Sequence, residues 1–187
     1  VLSHFRTPAQ PEFDRMTGGL YHGDLCVLAS RPAVGKSTFA LNIASHVALH
    51  CGKHVAFFSL DMSRELATIR ILAAERRISM KKLREGMISD PSLRPLAHKL
   101  SHQVDNGAFL NIDDSSHYTV GDMHAKARYL RECWSALDLV VVDYLQHVSA
   151  PSYMDRRRAV AAVSRRLKRM AVDLQTPVLL LSQLNRY

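Results

Sequence analysis

The run Ser30-Arg31-Pro32-Ala33-Val34-Gly35-Lys36-Ser37-Thr38 has the residue types that grip a triphosphate. Gly35 lets backbone N–H groups close on phosphate oxygens, Lys36 neutralises charge on the β and γ phosphates, and the Ser37 hydroxyl completes a Mg2+ shell. Every position of the run is therefore a candidate nucleotide contact. Ser30 stands where the usual GxxxxGK[ST] spacing places a first glycine, so the loop begins on a residue that needs an ordinary φ. The plain alternative is a Gly-Lys-Ser turn at a helix start. The flanks favour the loop: Leu25 to Ala29 is an apolar strand before it, and Phe39, Ala40, Ile43, Ala44, Val47 and Ala48 recur at helical spacing behind it, with Gly52 as the stop. The positive end of that helix faces the loop and favours an anion there.

Three further groups follow apolar runs and carry chemistry of their own. Asp143, after Val141-Val142, is a carboxylate at a rigid strand tip, suited to hold Mg2+ directly or through water. Asp61, after Ser59-Leu60, is placed to polarise an attacking water, or else it caps a helix that starts near Ser63. Gln183, after Leu181-Ser182, offers an amide to a γ phosphate, or else is a surface amide. Arg70 recurs on nearly the same helical face as Asp61, where it reaches phosphate or pairs with a surface acid. Periodicity leaves that choice open.

These groups need elements to hold them. Val55 to Leu60, Phe109 to Ile112, Leu139 to Val142 and Val178 to Leu181 read as central parallel strands beside Leu25 to Ala29. Helical patterns separate them: Leu66, Ile69, Leu72 and Ala73 behind Ser63; Val120, Met123, Ala127 and Leu130 behind Thr119, with Asp122 three positions on; and Val160, Val163, Leu167, Met170, Ala171 and Leu174. The alternation predicts an α/β fold whose mostly parallel twisted sheet has helices on both faces. In such sheets ligands sit beyond the carboxyl ends of the strands, so the loop and the three strand tips should share one cleft. Residues 1–12, with Pro8 and Pro11, read as an extended linker, and the folded unit is expected from Phe13.

Composition narrows the partners. With 187 residues, 47% of them hydrophobic, the chain suits one domain with a sizeable core. No apolar stretch reaches the roughly 20 residues that cross a bilayer. With no signal peptide at the start, the protein is expected in the cytoplasm. Cys26, Cys51 and Cys133 lack the CxxC spacing of a zinc ribbon. A net charge of +8 and a pI near 9.7 point to a polyanionic partner. Arg156, Arg157, Arg158, Arg165, Arg166, Lys168 and Arg169 crowd together near a single acid, Asp155. They suit nucleic-acid phosphates or a solvated helix face equally.

Taken together, Phe13-Asp14 through Thr17-Gly18-Gly19-Leu20, Arg31-Pro32-Ala33-Val34-Gly35-Lys36-Ser37, Phe58-Ser59-Leu60-Asp61-Met62-Ser63, Val141-Val142-Asp143-Tyr144-Leu145-Gln146 and Leu181-Ser182-Gln183-Leu184-Asn185-Arg186 make the chain resemble the C-terminal RecA-like ATPase domain of DnaB-family replicative DNA helicases. The resemblance covers nearly the whole length, and that family's loop usually reads A-R-P-x-x-G-K. It implies a RecA-like P-loop core, ATP and Mg2+ as ligands, and a homo-hexamer that hydrolyses ATP at subunit interfaces and translocates on single-stranded DNA at a replication fork. Primase and a helicase loader are the further partners it suggests; a membrane is not. By the same resemblance Lys36, Asp61, Asp143, Gln183 and Arg70 are the catalytic set, Ser37 and Asp143 hold the metal, and Arg156, Arg157 and Arg158 lie in a channel loop, spanning 150–158, that meets the DNA backbone.

Two departures stand out. The family motif reads S-L-E-M-S, whereas Asp61 draws its carboxylate back by one methylene, and water activation is sensitive to displacements of about 1 Å. The family's arginine finger and main DNA loop lie beyond the Gln183 motif. Residues 13–187 are thus expected to be such a domain truncated at its C-terminal end, following an absent N-terminal region and hydrolysing ATP poorly alone. A RecA-class recombination or repair ATPase and a nucleotide-binding assembly module with weakened catalysis are the alternatives.

Overall fold

A computed structural model describes residues 4–5, 11–85, 110–149 and 155–184. In chain order it contains His4–Phe5 (β1), Pro11–Thr17 (α1), Leu20–Tyr21 (β2), Leu25–Ser30 (β3), Lys36–Ser45 (α2), Val55–Ser59 (β4), Arg64–Arg76 (α3), Met80–Arg84 (α4), Leu110–Asp113 (β5), Val120–Trp134 (α5), Leu139–Asp143 (β6), Arg156–Leu174 (α6) and Val178–Gln183 (β7). The expected strand start at Phe109, the loop residues 150–154 and the Asn185-Arg186 end of the last motif lie outside the described residues.

The apolar runs are strands because both their faces are covered. Leu139, Val141, Leu179 and Leu181 pack with Ile43, Val47 and Phe57 on one side of the sheet. Val140, Val142 and Leu180 pack with Met123, Leu167 and Met170 on the other. Successive residues of β6 thus meet apolar neighbours on alternate faces, and a parallel strand buried this way must be apolar throughout. The five strands pair in the order β3-β7-β6-β4-β5, all parallel. Register then fixes the tips: Ser30 lies beside Gln183, and Ser59 beside Asp143.

Local signals start the helices. The Ser63 hydroxyl accepts from Leu66 N at the start of α3. Thr119 and Asp122 form a reciprocal capping box on α5: the Thr119 hydroxyl accepts from Asp122 N at 3.2 Å, and the Asp122 carboxylate accepts from Thr119 N at 2.9 Å. Thr119→Ala should therefore cost about 1 kcal/mol, read as a lower urea midpoint at unchanged slope.

Three expectations need correction. The helix behind the phosphate loop does not run regularly to Gly52; α2 ends at Ser45 and a π turn spans His46–His50, closed by Cys51 N donating to His46 O. The wide turn still buries Val47 and Ala48, so side-chain periodicity gives no sign of it. Within the segment read as a linker, His4–Phe5 pairs antiparallel with Leu20–Tyr21, and α1 begins at Pro11, a residue suited to a first helical turn. Arg156, Arg157 and Arg158 are not loop residues. They form the first turn of α6, because Asp155 caps it by accepting from Arg158 N at 2.8 Å.

Candidate active site

The loop between β3 and α2 owes its shape to two left-handed residues. Gly35, at φ 98°, is the residue before the helix, and Ala33 takes φ 59°. Left-handed residues alternating with ordinary ones fold successive N–H groups into a concave nest for anions. Gly35 tolerates this without strain, whereas at Ala33 the side chain bears a cost that leaves no mark on the sequence pattern. The residue before α2 is Gly35, which has no side chain to cap it, so the first N–H groups of the helix stay available to an anion in the loop. Ser30 turns its hydroxyl to Arg31 O at 3.0 Å.

A cavity of about 450 Å3 opens above the carboxyl edge of the sheet. Lys36, Ser37, Asp61, Arg70, Asp143 and Gln183 all line it, as do Pro32, Ala33, Gly35 and Thr38 from the loop. Arg31 and Val34 are exposed and are not among its lining residues. Each strand in the order β3-β7-β6-β4 thus delivers its group in turn: loop, Gln183, Asp143, Asp61. Arg70 reaches the same space from α3, which favours the phosphate side of the choice that periodicity left open. Lys36 and Arg70 thereby direct two cations at a common cleft.

Asp143 is the most constrained of these groups. It is 1% exposed, and its Oδ1 has no hydrogen-bond partner among the described residues. Burial pushes its carboxyl above the usual carboxylate range, and the Asp61 charge adds to this; a hydrogen bond from Ser37 and the charges of Lys36 and Arg70 act the other way. A buried carboxylate oxygen beside a hydroxyl, an ammonium and a guanidinium fits a divalent cation bridging to phosphate. Among the described residues no cluster of His, Cys, Asp and Glu forms a closed metal site, so Mg2+ here would take much of its shell from phosphate oxygens and water.

Asp61 is exposed rather than buried. Capping of α3 falls to Ser63 and to Asp114, whose carboxylate accepts from Arg64 N at 2.9 Å. The helix-cap alternative for Asp61 therefore lacks a structural basis. On the far side of the cleft, the Gln146 amide donates to Gln183 O at 2.9 Å and accepts from Gln183 N at 3.3 Å. This pair fastens the tip of β7 to the short 3-10 turn Leu145–His147 that follows β6.

Sequence reasoning missed Tyr144, Gln146 and His147 as individual contributors. All follow closely on Asp143, so their position immediately beyond an acidic strand tip was the available signal. Arg156, Arg157 and Arg158 do not line this cleft. Arg156 lines a second cavity of about 330 Å3 with Leu145 and Gln146, and its charge reaches Tyr144, whose hydroxyl is pushed up by burial, Asp61 and Asp143 and is lowered by Arg156.

The family of DnaB-like helicase C terminal domains matches residues 8–187. Replicative DNA helicase DnaB of Geobacillus stearothermophilus is 41% identical over 177 residues, covering 94% of this chain and 38% of its own length. Replicative DNA helicase DnaC of Bacillus subtilis is 40% identical over 177 residues, with the same coverage. The chain thus spans well under half the length of these relatives. Among solved structures, a DnaB-like replicative helicase, described with its primase interactions, superposes with a TM-score of 0.82 at 27% identity, over 96% of this chain and 43% of that one. A second solved structure, itself an ATPase domain, superposes with a TM-score of 0.83 at 27% identity, over 96% and 64%. The sheet is accordingly mostly parallel as the strand pattern predicts, and it is the RecA-like core that the family resemblance implies.

Proposed function

Since this chain belongs to the DnaB-like helicase C-terminal domain family, we propose that it is the ATP-hydrolysing motor domain of a replicative DNA helicase, acting in the cytoplasm on single-stranded DNA at a fork. The observation that carries this is the convergence of Lys36, Asp61, Arg70, Asp143 and Gln183 on one cleft beside a phosphate loop. Lys36 and Arg70 place positive charge against the phosphates, where charge develops on the transferring group. Ser37 and Asp143 would hold Mg2+, which would supply Lewis-acid charge to the phosphates. Asp61 takes a proton from the attacking water; the water oxygen bonds to the γ phosphorus, and the bond to the β–γ bridging oxygen breaks with its electron pair leaving on ADP.

Gln183 offers its amide to the γ phosphate, and the Gln146 bonds to its backbone give loss of that phosphate a route to the 3-10 turn and onward to α6. Residues 13–187 act as the catalytic unit of a homo-hexamer, with primase and a helicase loader as partners of the complete protein. The primase reading leans on the neighbour described with primase. Measuring ATP turnover and forked-duplex unwinding by the full-length protein tests the proposal. Turnover with unwinding supports it; turnover without unwinding returns a recombination-type ATPase; neither returns an assembly module, the reading that the shortened Asp61 favours.

We assign Arg156, Arg157 and Arg158 to the DNA backbone from the first turn of α6, a position from which all three remain exposed. Each phosphate contact on a single strand contributes about 0.7 to the slope of log affinity against log salt. Replacing all three with alanine in the full-length protein should flatten that slope by roughly 2 without sequence preference. An unchanged slope reassigns them to assembly.

A further inference from the structure

The carboxylate that activates water is one methylene short of its family counterpart, so its place depends heavily on the backbone that carries it. Three hydrogen bonds hold that backbone. Leu60 N donates to Asp143 O at 2.7 Å, and the Ser59 hydroxyl donates to Met62 O at 2.5 Å. The Leu60 carbonyl, in turn, meets His147 Nδ1 at 3.1 Å.

A carbonyl only accepts, so Nδ1 carries the proton. Neutral His147 then has an acceptor at Nε2, which receives the Tyr144 hydroxyl at 2.9 Å. The imidazole lies 4.3 Å from the Tyr144 ring, and His147 N donates to Tyr144 O at 3.0 Å. Ring, tautomer and backbone of His147 are all constrained. The same Nδ1 lies 3.8 Å from Asp61 Oδ1, too long for a hydrogen bond and close enough that a small side-chain rotation brings the carboxylate onto it.

We propose that His147 is a positioning residue for ATP hydrolysis: its Nδ1–H fixes the Leu60–Asp61 junction and draws the short Asp61 carboxylate to the place where water is activated. The inference rests on Asp61 being the base. His147 acts through Asp61 and is not itself among the residues that line the nucleotide cleft. It is held from two directions, by Leu60 beyond the end of β4 and by Tyr144 beyond the end of β6. Group positioning on this scale matters because displacements of about 1 Å cost up to about 10²-fold in rate.

The test uses the full-length protein and DNA-stimulated ATP turnover. His147→Leu should lower kcat about tenfold with KM for ATP changed by less than about twofold, the signature of misplaced chemistry rather than lost binding. His147→Asn, whose amide nitrogen overlays Nδ1, should restore kcat to within about threefold of the native value. In an Asp61→Glu background the longer side chain no longer depends on the junction, so the effect of His147→Leu should fall below about twofold. An equal loss in both backgrounds, a loss confined to KM, or no loss in His147→Leu overturns the proposal. Should the leucine variant melt early, His147→Gln takes its place, because its amide nitrogen overlays Nε2 rather than Nδ1: a tenfold loss beside near-native His147→Asn upholds the proposal, and native kcat in His147→Gln or a tenfold loss in His147→Asn overturns it. Asp61→Asn measured alongside separates the two readings. If that variant keeps turnover, the assignment of the base fails; if it is dead while His147→Leu is fully active, only the role of His147 fails.

Discussion

Asp61→Asn is expected to reduce kcat for ATP hydrolysis by about 10²- to 10⁴-fold, the contribution of a positioned general base, while the protein still binds ATP with Mg2+. The amide keeps the size and shape of the side chain and cannot accept the proton of the attacking water. Because Asp61 is exposed and caps no helix, the substitution leaves the fold alone. Removing a negative charge from the cleft that would hold the triphosphate lessens repulsion of the nucleotide, so affinity should hold or rise slightly. A fluorescent-nucleotide titration checks binding, and phosphate release checks turnover. Native turnover in this variant would take Asp61 out of the base role and leave water activation to another group.

The strand tips were legible because a parallel strand buried on both faces must be written as an unbroken apolar run, and its first polar residue marks the carboxyl edge. Val141-Val142-Asp143 and Leu181-Ser182-Gln183 are read this way, and register places Asp143 beside Ser59 and Gln183 beside Ser30. Ser63 and Thr119 were legible for a similar reason, since capping chemistry is local to the sequence. What stayed hidden depends on long-range contact. The π turn at His46–His50 preserves burial of Val47 and Ala48, so no apolar position is out of phase. His147 acquires its role only because the end of β6 packs against Leu60, far away in sequence.

The arginines of α6 show the opposite failure, in which a local signal was present and outweighed. Asp155 followed three positions later by Arg158 is an ordinary helix start, and the structure realises both the backbone cap at 2.8 Å and an ion pair at 3.3 Å. The resemblance placed a loop over the same residues. Local capping chemistry decides here because Arg156, Arg157 and Arg158 are all exposed, and no packing competes with it.

Asp143→Asn should separate function from stability in opposite directions. Under the proposed function Asp143 would hold Mg2+, whose charge stabilisation would be worth several kcal/mol, so turnover should fall by about 10²-fold or more. The nucleotide-free protein should nonetheless become more stable. Burial holds the folded carboxyl above its unfolded value of 3.8, so above the folded value the native state bears a charge it would rather lose, and Oδ1 finds no donor among the described residues. Asparagine still accepts from Ser37 and carries no charge, which removes the desolvation cost of a buried carboxylate, although its NH2 then stands where Oδ1 stood. For a chain of this size that corresponds to a rise of roughly 2–4 °C in Tm per kcal/mol at neutral pH. As pH falls through the folded value toward 3.8 the native carboxyl takes up its proton, and the advantage of the variant should shrink toward zero. Saturating ATP with Mg2+ should narrow the gap from the other side, because it stabilises the native protein by mass action and the variant less. Melting curves with and without ligand across this pH range check all three, and a variant that melts below the native protein without ligand would show that the buried charge is already satisfied.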